Sequence, residues 1–135
     1  MRPLRALPLA IASLLTSLGA VLAQGSFSGR WHDNVPGLNA LGPLTISTEK
    51  IAVGRKVTYQ VRSAGPFGDG ELFEVTAIDR KVDPVCDTHF IVVQPSTAAV
   101  GGTAILVSFY SGSSAPKPQS IADDTAVCHI HPFSR

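Results

Sequence analysis

Short runs in which apolar and polar residues alternate recur along the chain from Ser26 onward, each bounded by turn-forming residues. Leu44-Thr45-Ile46-Ser47 and Val57-Thr58-Tyr59-Gln60-Val61-Arg62 carry the period-two pattern of half-buried strands, with Val57, Tyr59 and Val61 on one face. Ser26 to Trp31 opens the series, and Thr48-Glu49-Lys50 forms a tight connection into Ile51-Ala52-Val53. Pro66, Gly68 and Gly70 mark a loop before Leu72 to Ile78, a strand expected to place Phe73, Val75 and Ala77 on one face. Asp83-Pro84 breaks it. Phe90-Ile91-Val92-Val93 is apolar on both faces, as expected of a central strand or one that bends between layers. Ala104 to Tyr110 is the longest apolar run; a serine- and proline-rich loop follows, and a last strand is expected over Ala126 to Phe133.

No apolar repeat with a period of 3.6 residues runs far enough to make a helix. Seven or eight antiparallel strands with short connections predict an all-β domain, a small up-and-down or meander barrel, because closure leaves no exposed sheet edge. A β-sandwich is the alternative.

The residues ahead of the first strand have a different character. Arg2 and Arg5 precede an apolar stretch from Ala6 to Leu22, and Val21-Leu22-Ala23 has the form of a signal-peptidase site. A cleaved secretory leader is expected over residues 1–23 and a single domain over residues 24–135, in the periplasm or secreted. The leader's apolar run is interrupted by Pro8, Ser13, Thr16, Ser17 and Gly19, so a membrane span is disfavoured. Charge is close to balanced, at 11 Lys and Arg against 10 Asp and Glu. Neither the basic stripe of a nucleic-acid binder nor a basic amphipathic helix for a membrane surface is visible.

Cys86 and Cys128 are the only cysteines. In an oxidising compartment an even pair forms a disulfide most simply. Closing a loop of about 43 residues would stabilise the fold by roughly 4 kcal/mol through chain entropy. No Cys-x-x-Cys spacing supports a redox role; thiol ligation of a metal with histidines is the lesser alternative.

Gly29-Arg30-Trp31, at the head of the first strand, resembles the Gly-x-Trp opening of lipocalins and related calycin barrels. That resemblance implies a barrel in which Trp31 plugs the closed end as a core anchor. The domain is shorter than a usual lipocalin and lacks the Thr-Asp-Tyr-like second motif. A shorter barrel with this opening is similar to bacterial periplasmic inhibitors of metalloproteases, whose single disulfide sits earlier in the chain. Ser111-Gly112-Ser113-Ser114-Ala115 also resembles the Ser-Gly-x-x-Tyr loop of periplasmic inhibitors of c-type lysozyme, with Ala115 in place of the tyrosine.

Catalytic chemistry has no local signature. There is no Gly-x-Ser-x-Gly elbow, no phosphate-binding glycine loop and no paired acid and base. Asp123 and Asp124 are adjacent, and Glu71 and Glu74, three apart, diverge on a strand. No cofactor is implied. His129 and His131 lie two apart, on one face of the last strand, where with His89 or His32 they could hold zinc or copper. The plainer expectation turns Cys128 and Ile130 inward and leaves both histidines in solvent.

The candidate partner-binding residues are Val35, Leu38 and Leu41, in a turn-rich loop, and Phe67 between Pro66 and Gly68 at a hairpin tip. They form an exposed binding rim, or else fold back as a lid and a cap. The expected function is a non-catalytic exported binding module, protein-binding or inhibitor-like. The alternatives are a carrier of a small apolar ligand and a metal-binding protein using His129 and His131.

Overall fold

A computed structural model describes residues 27–96, 103–118 and 126–135. Its strands are β1 (Gly29–Asp33), β2 (Leu44–Ile46), β3 (Lys50–Val53), β4 (Val57–Phe67), β5 (Gly70–Ile78), β6 (Phe90–Ser96), β7 (Ala104–Tyr110) and β8 (Val127–Ser134). Each pairs antiparallel with the next, and β8 returns to β1 through His32↔Ser134 and Asp33↔Phe133, so the sheet closes in chain order. This is the meander barrel expected, not the sandwich. Among the described residues the only helix is a single 3-10 turn, Gly37–Asn39, and no helix is long and apolar enough to cross a membrane. The expected leader and Asp123-Asp124 lie outside the described residues.

Alternation places one side-chain set inside. Val57, Tyr59 and Val61 of β4 meet Leu44, Ile46, Ile51, Val53, Phe73, Ile91, Val93, Ile105, Val107, Phe109 and Phe133 in one buried cluster. These inward side chains line the barrel interior. Trp31 is 1% exposed in that cluster; its indole Nε1 donates to the Phe27 carbonyl at 3.0 Å, and the Arg135 guanidinium lies 4.0 Å from the ring centre. Trp31 therefore closes the end of the barrel where the chain enters and leaves, as a core residue.

The expected phase of β5 needs correction. Gln60 pairs with Ala77 but Val61 pairs with Val75, so a bulge absorbs one residue of β5. Ile78 consequently packs on the core while Ala77 is exposed. The doubly apolar β6 is also explained. Ile91 and Val93 face inward, whereas Phe90 and Val92 join Phe67, Leu72 and Tyr110 in a second buried cluster outside the barrel.

The two ends differ. At one, the turn end, the fully described connections are short: residues 47–49 and 68–69. At the other, the loop end, the longer segments 34–43 and 79–89 and the described residues 111–118 emerge, beside the tight turn 54–56.

Candidate functional site

At the loop end a row of ionisable side chains runs into the apolar interior. β1 alternates Trp31 in, His32 out, Asp33 in, and β8 alternates His129, His131 and Phe133 inward. His131 Nε2 lies 2.6 Å from Asp33 Oδ1, and His131 Nδ1 lies 3.1 Å from His129 Nε2. The Asp33 carboxyl sits below the usual carboxylate range. Burial pushes it up, but hydrogen bonds from the Val35 amide, the His131 ring and the Gly42 and Leu41 amides outweigh that. An ionised carboxylate only accepts, so His131 carries its hydrogen on Nε2; in the neutral ring Nδ1 then accepts from His129 Nε2. The His129 ring is held below the ordinary imidazole value, by burial first and then by His131.

Tyr59, Phe109, His129, His131 and Phe133 form a continuous line of rings, with centroids 6.1, 6.1, 5.2 and 5.0 Å apart in turn.

Asp33 also fastens a loop. Its Oδ1 accepts from the Val35 amide at 2.8 Å, and its Oδ2 from the Leu41 and Gly42 amides at 2.5 and 2.8 Å. The bond two residues ahead makes an Asx turn. The loop is docked on the β3–β4 turn at Gly54. Gly54 has φ +55, and a Cβ there would lie 2.5 Å from the Leu41 carbonyl oxygen, so only glycine permits this approach.

Asp83 repeats the arrangement in segment 79–89. Its Oδ1 accepts from the Tyr59 hydroxyl at 2.7 Å and from the Val85 amide at 2.9 Å, and its Oδ2 accepts from the Thr88 amide at 3.1 Å. Burial raises the Asp83 carboxyl, but bonds from Thr88, Tyr59 and Val85 bring it below its usual range. Burial, with Asp83 adding to it, drives the Tyr59 phenol far above its ordinary value. The Cys86–Cys128 disulfide joins this same segment to the start of β8.

The plainer expectation for β8 is reversed: Cys128 faces outward, Ile130 is 54% exposed, and both histidines face inward. Two distant constraints set this phase. Cys128 must meet Cys86 in a surface segment, and Asp33 puts a carboxylate inside that His131 satisfies. Both ring nitrogens of His131 are already hydrogen-bonded. His32 and His89 are exposed, and His89 Nδ1 contacts the Asp87 carbonyl at 3.2 Å. Among the described residues no three His, Cys, Asp or Glu side chains gather to hold a metal.

The four candidate binding residues are not brought together. Leu38, on the 3-10 turn, is fully exposed, and Val35 is half-buried. Leu41 enters the core cluster. Phe67 is buried in the outer cluster, so it neither stands free at the hairpin tip nor caps the barrel. The hairpin tip turns Phe67 onto the apolar outer face of Phe90 and Val92. Ser113, Ser114 and Ala115 are exposed in the third loop-end segment.

Sequence reasoning missed Val82, which is 79% exposed beside Asp83, and the two aspartates themselves. Asp33 and Asp83 each follow or open a turn-rich segment, which is the available signal for an Asx turn. No family model matches this chain, and comparison with curated proteins and with solved structures finds no match either.

Proposed function

We propose that this chain is an exported, non-catalytic binding module that engages another protein in an inhibitor-like manner through the loop end of its barrel. The carrying observation is that Leu38 and Val82 project from segments fastened to the barrel by Asp33 and Asp83, the second also by a disulfide. Backbone ordered before encounter reduces the entropy lost on binding. Apolar side chains displayed on such backbone serve as anchors.

The large apolar side chains clustered inside the barrel favour surface recognition over carriage of a small apolar ligand. Kinship with lipocalins and other calycin barrels is part of this reading, supported at the coarse level by eight antiparallel strands in closed order and by Trp31 at the closed end. The disulfide and the leader-like residues 1–23 accord with a periplasmic or secreted location.

Cross-linking the folded chain in an extract of exported proteins from its source is expected to return one partner. The double variant Leu38→Asp, Val82→Asp should release that partner while keeping the wild-type circular dichroism spectrum. Retention of the partner by the double variant, or no capture at all, overturns the reading.

A further inference from the structure

At the turn end the strands are unequal in length, and the mismatch opens a cleft. β2 and β3 hold three and four residues, whereas β4 and β5 hold eleven and nine. The last β3–β4 pair is Lys50↔Gln60, and the Val61 amide still donates to the Glu49 carbonyl at 2.9 Å. From there β4 runs on to Phe67 paired with β5 alone. The overhanging hairpin and the 47–49 turn enclose a cleft of about 540 Å³ lined by Thr48, Glu49, Gln60, Val61, Arg62, Ser63 and Glu71.

We propose that this cleft is a binding site for an organic ammonium cation, with Glu71 as its anionic anchor. Glu71 is only 8% exposed. Its neighbour two places on, Phe73, belongs to the core, so strand alternation turns Glu71 to the inner side as well. The Ser63 hydroxyl is its hydrogen-bond partner, and burial raises its carboxyl above the usual range. A carboxylate offers about four lone-pair sites, so a single hydroxyl leaves most of its accepting capacity unused. Arg62 does not neutralise it: its Nε and Nη2 are bound to Glu74 Oε1 at 2.7 and 2.6 Å, on the outer face. Among the described residues neither Glu71 nor Glu49 belongs to an ion pair.

The lining selects the chemical class. Two carboxylates, against one lining guanidinium that is already bound to Glu74, call for positive charge. The Thr48 and Ser63 hydroxyls and the Gln60 amide oxygen add acceptors for N–H donors. Val61 supplies an apolar wall for a methylene stem. A bare metal ion fits less well, since no third acidic, histidine or cysteine ligand converges there among the described residues, and hard cations take six or more oxygen ligands. The volume suits an alkylammonium, whether a free amine or a lysine side chain of another protein. This site lies at the end of the barrel opposite Leu38 and Val82, so it stands or falls independently of the proposed docking rim.

Titration of the ¹⁵N-labelled protein with 1,5-diaminopentane tests it. Saturable shifts are expected at the amides of Val61, Ser63 and Glu71, and none from 1-pentanol, which has the stem without the charge. Glu71→Gln should weaken binding about tenfold or more, the usual cost of losing a charged hydrogen-bond partner. Glu49→Gln, at the exposed rim, should weaken it severalfold and guards against a folding defect in the first variant. Nα-acetyl-lysine amide distinguishes the sources. Saturation equal to the diamine's assigns the site to a lysine side chain, weaker saturation assigns it to a free amine, and either result upholds an ammonium site. Absence of saturable shifts with both amines, equal shifts from the alcohol, or unchanged affinity in both variants overturns it.

Discussion

Asp33 and Asp83 hold the two principal loop-end segments in matching ways, yet they lean on groups of very different acidity. Each accepts an amide two residues ahead, accepts further amides from its segment, and reaches a buried side chain of the barrel. For Asp33 that side chain is the imidazole of His131, linked onward to His129; for Asp83 it is the phenol of Tyr59. A phenol driven far upward never titrates in the working range, whereas the His129 imidazole, held below its ordinary value, does. The same mechanical device is therefore pH-indifferent near neutrality on one side of the loop end and pH-responsive on the other. The Asp83 side has a second fastener, the Cys86–Cys128 disulfide, that the Asp33 side lacks.

That difference predicts unequal mutational costs. Asp33→Ala removes the acceptor of three amides and strands His131 in an apolar interior, and should cost about 4 kcal/mol in urea unfolding, within the range for breaking a buried charged network. Asp83→Ala should cost less, about 3 kcal/mol, because the disulfide still holds its segment; an equal or larger loss would show that the covalent link contributes little there. Reducing the disulfide in wild-type protein, then repeating Asp83→Ala, should bring the two aspartates level. Tyr59→Phe deletes one buried hydrogen bond and should cost about 1 to 2 kcal/mol.

The pH dependence separates the hubs most cleanly. His129 has a folded value below the ordinary imidazole value of 6.5. The unfolded chain therefore binds its proton first, and stability falls as pH drops from about 6.5 toward the lower folded value, with a slope of at most about 1.4 kcal/mol per pH unit. His129→Phe should flatten that interval. Asp33 and Asp83 both lie below 3.8 when folded, so their stabilisation is complete above that value. It is lost as pH falls further, and that loss should survive in His129→Phe. A wild-type stability curve flat from pH 7 to pH 5 would remove the distinction between the hubs.

Much of the barrel is legible from local pattern. The alternation in Val57-Thr58-Tyr59-Gln60-Val61-Arg62 gives β4 and its inward face directly, and turn residues separate the strands, although Lys50, Pro66 and Gly70, expected in connections, lie in β3, β4 and β5. What local pattern misjudges is phase wherever a distant residue decides it. In Cys128-His129-Ile130-His131 hydropathy turns the cysteine and isoleucine inward. The outcome is set instead by Asp33, 98 residues away from His131 in sequence, and by Cys86, 42 away from Cys128. The bulge that exchanges Ala77 for Ile78 on the inner face has no signature in β5 itself. Phe67 is buried because Phe90 and Val92 make a second apolar surface outside the barrel. The doubly apolar β6 run hints at that surface but does not locate it. Asp33 and Asp83 read locally as ordinary loop residues; their role depends on His131 and Tyr59, which only closure of the barrel brings near.

Amide hydrogen exchange at Val35, Leu41 and Gly42 tests the hub arrangement most directly. In wild-type protein near neutral pH all three amides should be protected. Asp33→Ala should release them together while Val85 and Thr88 stay protected, and Asp83→Ala should do the reverse. Exchange of the Leu41 and Gly42 amides at unstructured-peptide rates in the wild-type protein would contradict the account.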